Sequence, residues 1–210
     1  MTPRDTRRRR AWERELLSAL QARVRGSHWR KKSNFVFREE RSTFVCATVD
    51  VSVKDDAMAW RVETKPMTID PILWAVLGMS ENERAPLSLR ADGAFTCSGL
   101  PVDGSKVSTS SLDPDVAAER FIAWADERVT HEMGRAQGSF SDQVKASDSY
   151  RRNGAHAAAL VCSLVDEGEL QEALDLARTF ASGERRASLV HTADGLAFFE
   201  RAVVWLSARA

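Results

Sequence analysis

Asp50, Glu63 and Lys65 form the constellation in this sequence best suited to catalysis. A carboxylate on one strand and a Glu-x-Lys on the next can hold a divalent cation such as Mg²⁺ through oxygen ligands. A neighbouring lysine can then orient a water or stabilise charge developing on a phosphate. Their meeting depends on the elements that carry them. Val45, Ala47, Val49, Val51 and Val53 alternate as one strand face, and Met58, Trp60 and Val62 resume the alternation after the turn signal Lys54-Asp55-Asp56-Ala57. Closing a hairpin there sets Val53 opposite Met58, Val51 opposite Trp60 and Val49 opposite Val62, so all six point one way. The same register sets Asp50 opposite Arg61 and Thr48 opposite Glu63. Asp50, Glu63 and Lys65 then share the opposite face. Arg61 would neutralise part of a cation site there, and cross-strand ion pairs on a solvated face account for the same residues.

After an opening helix, this acidic strand residue and Glu63-Thr64-Lys65 resemble the restriction-endonuclease-like nuclease superfamily, from Arg4 to about Leu89. That resemblance implies a metal-dependent nuclease with Asp50, Glu63 and Lys65 as catalytic residues and Mg²⁺ as cofactor. Outside this alternative no cofactor is expected. Trp29, Lys31, Lys32, Phe35 and Phe37, with Asp70, Leu73 and Trp74 further on, resemble small bacterial domains that occur beside toxin and immunity genes. The second resemblance implies partner binding and transfers no catalytic residue.

Other chemical motifs are incomplete. His131-Glu132 begins like a zinc-protease helix, but Arg135 stands where the second histidine belongs. His28, His156 and His191 have no histidine at ligand spacing, so no metal site is expected from them. Phosphate-cradling glycine loops and Gly-x-Ser-x-Gly elbows are missing from the sequence.

The apolar pattern changes period near Leu112, from two to three and four. This predicts an α+β fold: an N-terminal helix on an antiparallel sheet over 1–111, then a helical subdomain over 112–210. The first helix should run from Arg4 to Arg25, with Trp12, Leu16, Leu20 and Val24 on one stripe and Gly26 as its stop. Asp70 should cap a short helix that Gly78 ends. Leu87–Arg90 and Ala94–Cys97 should flank a hairpin turn, and Gly99–Ser111 reads as a linker with an edge strand near Val107. Asp113-Pro114 opens a long helix with Phe121, Trp124, Ala125, Val129 and Met133 buried. After a polar interruption at 137–149, helices are expected over Tyr150–Val165 and from Leu170 to Phe180, forming an αα-hairpin around Gly168. The last helix, Leu196–Leu206, is apolar round much of its circumference and must be buried in the core or in a second copy of the chain.

Composition bounds the function. Lys+Arg and Asp+Glu balance at 30 each, yet the segment through Arg41 holds 13 basic against 5 acidic residues. Arginine exceeds lysine 24 to 6 along the whole chain, so the basic start does not by itself select nucleic acid. Three well-separated cysteines suit buried free thiols. Glu13, Arg14 and Glu15 fall where a signal peptide needs leucines, and apolar runs stay shorter than a membrane span, so a cytoplasmic protein is expected. The leading expectation is a non-enzymatic, immunity-like protein-binding module, with Arg30, Lys31 and Lys32 as binding residues for an acidic or amphipathic partner. The nuclease is the alternative. A nucleic-acid module using Arg7–Arg10 is the second alternative, and nucleic acid is not the expected partner.

Overall fold

The computed structural model describes residues 2–52, 56–92, 95–109, 112–135, 138–188 and 192–209. Val53, the Lys54-Asp55 part of the first turn, Gly93-Ala94, Ser110-Ser111 and His191 lie outside them, as do the side chains of Met133 and Arg135. Contacts group the chain into two units that interleave in sequence: Met1–Glu40 with Phe44–Thr64 and Pro101–Ala136, and Arg41–Thr43 with Lys65–Leu100 and Gln137–Ala210. The expected division at 111 therefore does not match this grouping.

In the first unit, helix α1 (Pro3–Arg23) starts where Thr2 and Asp5 cap each other: the Asp5 N–H donates to Thr2 Oγ1 at 3.2 Å and the Thr2 N–H to Asp5 Oδ2 at 2.9 Å. Strands β1 (Arg30–Lys32), β2 (Phe35–Glu40), β3 (Thr43–Ser52), β4 (Ala57–Pro66) and β5 (Leu100–Ser108) form one antiparallel sheet in sequence order. Helix α4 (Pro114–Arg135) opens on Asp113, whose carboxylate accepts the Asp115 N–H at 2.9 Å. Val45, Val49, Met58, Trp60 and Val62 are buried with Leu16 and Leu20 of α1 and Phe121, Ala125 and Val129 of α4. The alternation thus identified the covered face. Asp50 and Arg61 form an ion pair, as the expected register requires. The edge strand expected near Val107 is β5, which takes up most of Gly99–Ser111, so that stretch is not a linker.

Trp60 packs on α4. Its ring lies 5.7 Å from that of Phe121 and 5.5 Å from that of Trp124, both on α4. The α1 stripe supplies Leu16 and Leu20 to the same cluster, while the Trp12 indole N–H donates to the Leu112 carbonyl at 3.0 Å.

The second unit is built on helices α2 (Ile69–Leu77), α7 (Ala157–Asp166), α8 (Leu170–Ala181) and α9 (Phe198–Ser207), with Ile69, Leu73, Leu160, Leu164 and Phe198 in its core. Every residue of α7 from Ala157 to Leu164 is buried, which is why its sequence is nearly all apolar. The hairpin of α7 and α8 turns at Gly168, φ +85°.

Four expectations change here. The α2 N-cap position is Thr68, and Asp70 lies in the first turn, fully buried. The Leu87–Cys97 segment carries helix α3 (Leu89–Asp92) instead of an expected strand. Its polar groups are taken up by side chains: the Phe95 carbonyl accepts from Trp74 Nε1 at 2.6 Å, and the Arg90 and Cys97 carbonyls accept from Lys65 Nζ. The polar stretch and the helix after it become α5 (Phe140–Ala146), α6 (Asp148–Asn153) and α7. The break falls at Gly154 (φ +66°), where an added Cβ would come 2.2 Å from the Arg186 carbonyl oxygen. Finally, α9 begins at Phe198, because Thr192–Ala193 (β6) and Leu196–Ala197 (β7) form a small hairpin across Asp194-Gly195. None of the described helices is long and apolar enough to cross a membrane.

Candidate binding surface

Sequence parity puts Asp50, Glu63 and Lys65 on one strand face, but their environments differ. Asp50 is partly exposed, paired with Arg61 and accepting from Asn34 Nδ2 at 2.9 Å. Glu63 is half-buried and engaged. Lys65 belongs to the second unit, where its side chain is 3% exposed. Its ammonium donates to Asp70 Oδ1 at 3.0 Å, the Cys97 carbonyl at 2.7 Å and the Arg90 carbonyl at 3.2 Å. An ammonium with three partners in hand has used its three donors. Among the described residues no group of three or more His, Cys, Asp or Glu is arranged to hold a metal ion.

The Lys65 cluster is one that sequence reading missed. Asp70 Oδ1 also accepts the Cys97 N–H at 2.7 Å, and Oδ2 accepts from Arg90 Nη1 at 3.0 Å. The Arg90 guanidinium further donates to the Met67 carbonyl at 2.8 Å and lies 5.0 Å from the centre of the Trp74 ring. The carboxylate has donors on both oxygens and the ammonium has three acceptors, the condition under which buried charge is tolerated. Nearby, burial pushes the Cys162 thiol well above its ordinary pKa, and a hydrogen bond with Cys97 adds to the effect. Cys46, Cys97 and Cys162 are all free and buried, as expected.

A second unforeseen cluster lies in the first unit. Arg38, 8% exposed, stacks 4.3 Å from the Trp29 ring centre and donates to Asp126 Oδ1 at 2.5 Å and Glu40 Oε2 at 2.6 Å. Trp29 Nε1 donates to the same Asp126 oxygen at 3.1 Å, and His28 reaches it at 3.1 Å. The only signal in the sequence is an arginine that follows two buried residues of β2, which hydrophobic alternation does not single out. The concavity above, about 420 Å³, is bordered by Glu39 and Thr130. Arg38 ties β2 to α4, and its charge is already balanced by carboxylates.

The exposed cations of α1 are in the opposite condition. Arg4, Arg7, Arg10 and Arg14 follow one another at three-, three- and four-residue steps, with Arg8 beside them. All five are exposed, and none forms an ion pair among the described residues. Like charges at such spacing destabilise a helix by about 0.2–0.5 kcal/mol per pair. Arg9, by contrast, turns toward Asp56 at 3.7 Å. On β1, Arg30 and Lys32 are exposed, while Lys31 is half-buried and desolvation lowers its pKa. This short strand is a sheet edge, where basic side chains also discourage pairing with another chain.

No family model, curated protein or solved structure matches the chain.

Proposed function

We propose that the protein is a non-enzymatic binding module that docks an acidic protein surface on the arginine stripe of α1, with Arg30 and Lys32 as flanking contacts. The observation that carries this is the stripe itself: exposed like charges at helical spacing, without carboxylate partners among the described residues. Such an arrangement works against the isolated helix and is relieved by carboxylates from a partner. Arginine also suits this role because its planar fork pairs two-pronged with a carboxylate. An immunity-like role agrees with the resemblance to domains found beside toxin and immunity genes. Burial of Lys65 weighs against the nuclease alternative, which needs that ammonium beside a cation and a phosphate.

Acidic protein is favoured over nucleic acid by three features. The formal net charge is zero, so long-range attraction to a polyanion is weak. Glu13 and Glu15 accompany the arginines on the same helix. No aromatic side chain is exposed among the described residues, so a stacking platform for single strands is missing there.

The test is a titration of the full chain with a glutamate-rich helical peptide carrying carboxylates at i, i+3, i+4 and i+7. Saturable binding is expected, and it should vanish in Arg7→Gln/Arg10→Gln/Arg14→Gln. Equal binding by that variant would overturn the reading. So would tighter, steeply salt-dependent binding of duplex DNA, which marks counterion release.

A further inference from the structure

A cavity of about 240 Å³ opens in the first unit beside α1 and is lined by Asp5, Arg8, Arg9, Trp12, Val51, Asp56 and Thr109. From its chemistry we infer a binding site for a small aromatic acid, a single planar ring bearing a carboxylate or a phosphate. The inference goes beyond docking of an acidic protein, since it concerns a pocket and not the exposed stripe.

Several polar groups of the lining are already occupied. Asp5 Oδ2 accepts from the Thr2 N–H at 2.9 Å and from Thr2 Oγ1 at 2.7 Å. Those same hydrogen bonds hold the Asp5 carboxyl below its usual pKa. Asp56 Oδ1 accepts from Thr109 Oγ1 at 2.8 Å. At least one oxygen of each carboxylate is therefore taken up by the wall. The Trp12 indole N–H is also taken, by the Leu112 carbonyl, so Trp12 offers the cavity its ring and not its donor. Val51 adds a second apolar surface.

The two cations differ: Arg9 reaches Asp56 at 3.7 Å and is otherwise engaged, whereas Arg8 forms no ion pair among the described residues. Asp5, Arg8, Arg9 and Trp12 stand at i, i+3, i+4 and i+7, so one helix face presents the guanidinium of Arg8 next to the ring of Trp12. An apolar surface beside planar donors selects a flat body with an anionic end. The ring lies on Trp12, and the anionic oxygens take the Arg8 fork. The volume is below that of sites for drug-sized ligands, which limits the occupant to about one ring and its acid group.

The probes are indole-3-carboxylate, phenyl phosphate and inorganic phosphate, each titrated into the full chain while the indole N–H signal of Trp12 is followed by NMR. Either aromatic acid should shift that signal saturably, and the tighter of the two identifies the acid group. Inorganic phosphate, which has no ring, should bind at least ten-fold more weakly. Arg8→Gln removes a charge-assisted hydrogen bond and should weaken the aromatic acid roughly ten-fold. Arg8 is exposed, so this variant should fold. Arg25→Gln, exposed and outside both the cavity lining and the stripe, should bind as the parent does. No shift with either aromatic acid at millimolar concentration would overturn the proposal, as would equal loss in the Arg8 and Arg25 variants. Failure here with an intact response to the glutamate-rich peptide would leave the docking reading standing. Loss of peptide binding with retained aromatic-acid binding would do the reverse.

Discussion

Lys65 and Arg90 in the second unit and Arg7, Arg10 and Arg14 in the first carry the same charge and meet opposite fates. The former are enclosed with Asp70, and every Asp70 oxygen has a donor. The latter stand in water at spacings where they repel one another. A buried cation without partners would unfold its surroundings, so burial enforces completion. An exposed one is under no such constraint, and its missing partner can be supplied from outside. The difference separates structural charge from charge free to recognise something. It also explains why a Glu-x-Lys pattern is weak grounds for catalysis: the lysine in this chain belongs to a core.

The structural charge is tested most severely at Asp70. Asp70→Ala leaves Lys65 uncompensated in the interior and should cost about 3–5 kcal/mol in urea unfolding. A loss below about 1 kcal/mol would mean that the cluster is hydrated and that its charges are not structural. Replacing Lys65 and Asp70 together by Met and Leu should cost much less than Asp70→Ala alone, since no unpaired charge remains.

Beside its Arg38 ion pairs the first unit packs aromatic rings, and Trp60 tests how much that packing contributes. Trp60→Ala should cost about 3–5 kcal/mol through the cavity left against Phe121 and Trp124. Its indole nitrogen is buried without a hydrogen-bond partner among the described residues. Trp60→Phe should therefore lose far less, because the orphaned N–H goes with the lost volume. If Trp60→Phe proved as damaging as Trp60→Ala, the ring would not be held by packing.

How much of this contrast the sequence carried depends on the range of the interaction. Period-two alternation located the buried face of β3 and β4, and the pairing of Asp50 with Arg61 follows from it. The α1 stripe, the Asp113 cap and the turn at Gly168 are likewise local patterns. Lys65 shows the limit: parity assigns it to the polar face, and only partners at 70, 90 and 97 explain its burial. Asp70 mimics a cap because Asp before Pro is also what a buried first-turn carboxylate looks like. The edge strand near Val107 was legible but not its full extent, because Gly104 and the serines around it resemble a linker, although an edge strand tolerates them. Asp194-Gly195 was legible as a tight hairpin turn. The apolar run after it masked that signal.

On the exposed side of the comparison, the effect on stability should be small and of opposite sign. Arg7→Gln/Arg10→Gln/Arg14→Gln removes like-charge pairs, so it should leave stability unchanged or raise it by a few tenths of a kcal/mol per pair at low salt. The gain should shrink as salt screens the charges. A loss above about 1 kcal/mol would show that the arginines serve the fold, and would move them to the same side as Lys65.

Glu167 lies between the two extremes, exposed yet partnered. Partial burial pushes its pKa up, but hydrogen bonds from Ser141 and Ser163 outweigh this and hold it below the ordinary 4.5. The Ser141 hydroxyl donates to Oε2 at 2.5 Å and the Ser163 hydroxyl to Oε1 at 2.7 Å. A carboxyl whose pKa falls on folding contributes stability that is fully present above the unfolded value. That contribution is lost as pH drops through the folded one. Glu167→Gln should therefore destabilise by no more than about 1 kcal/mol near neutrality, given solvent screening of an exposed group. The difference between variant and parent should fade as pH is lowered below 4.5. Urea unfolding of both proteins at neutral and acidic pH measures it. A gap that persisted or widened in acid would show that Ser141 and Ser163 recognise the shape of the side chain and not its charge. Completed partners would then be needed at an exposed position for geometric reasons alone.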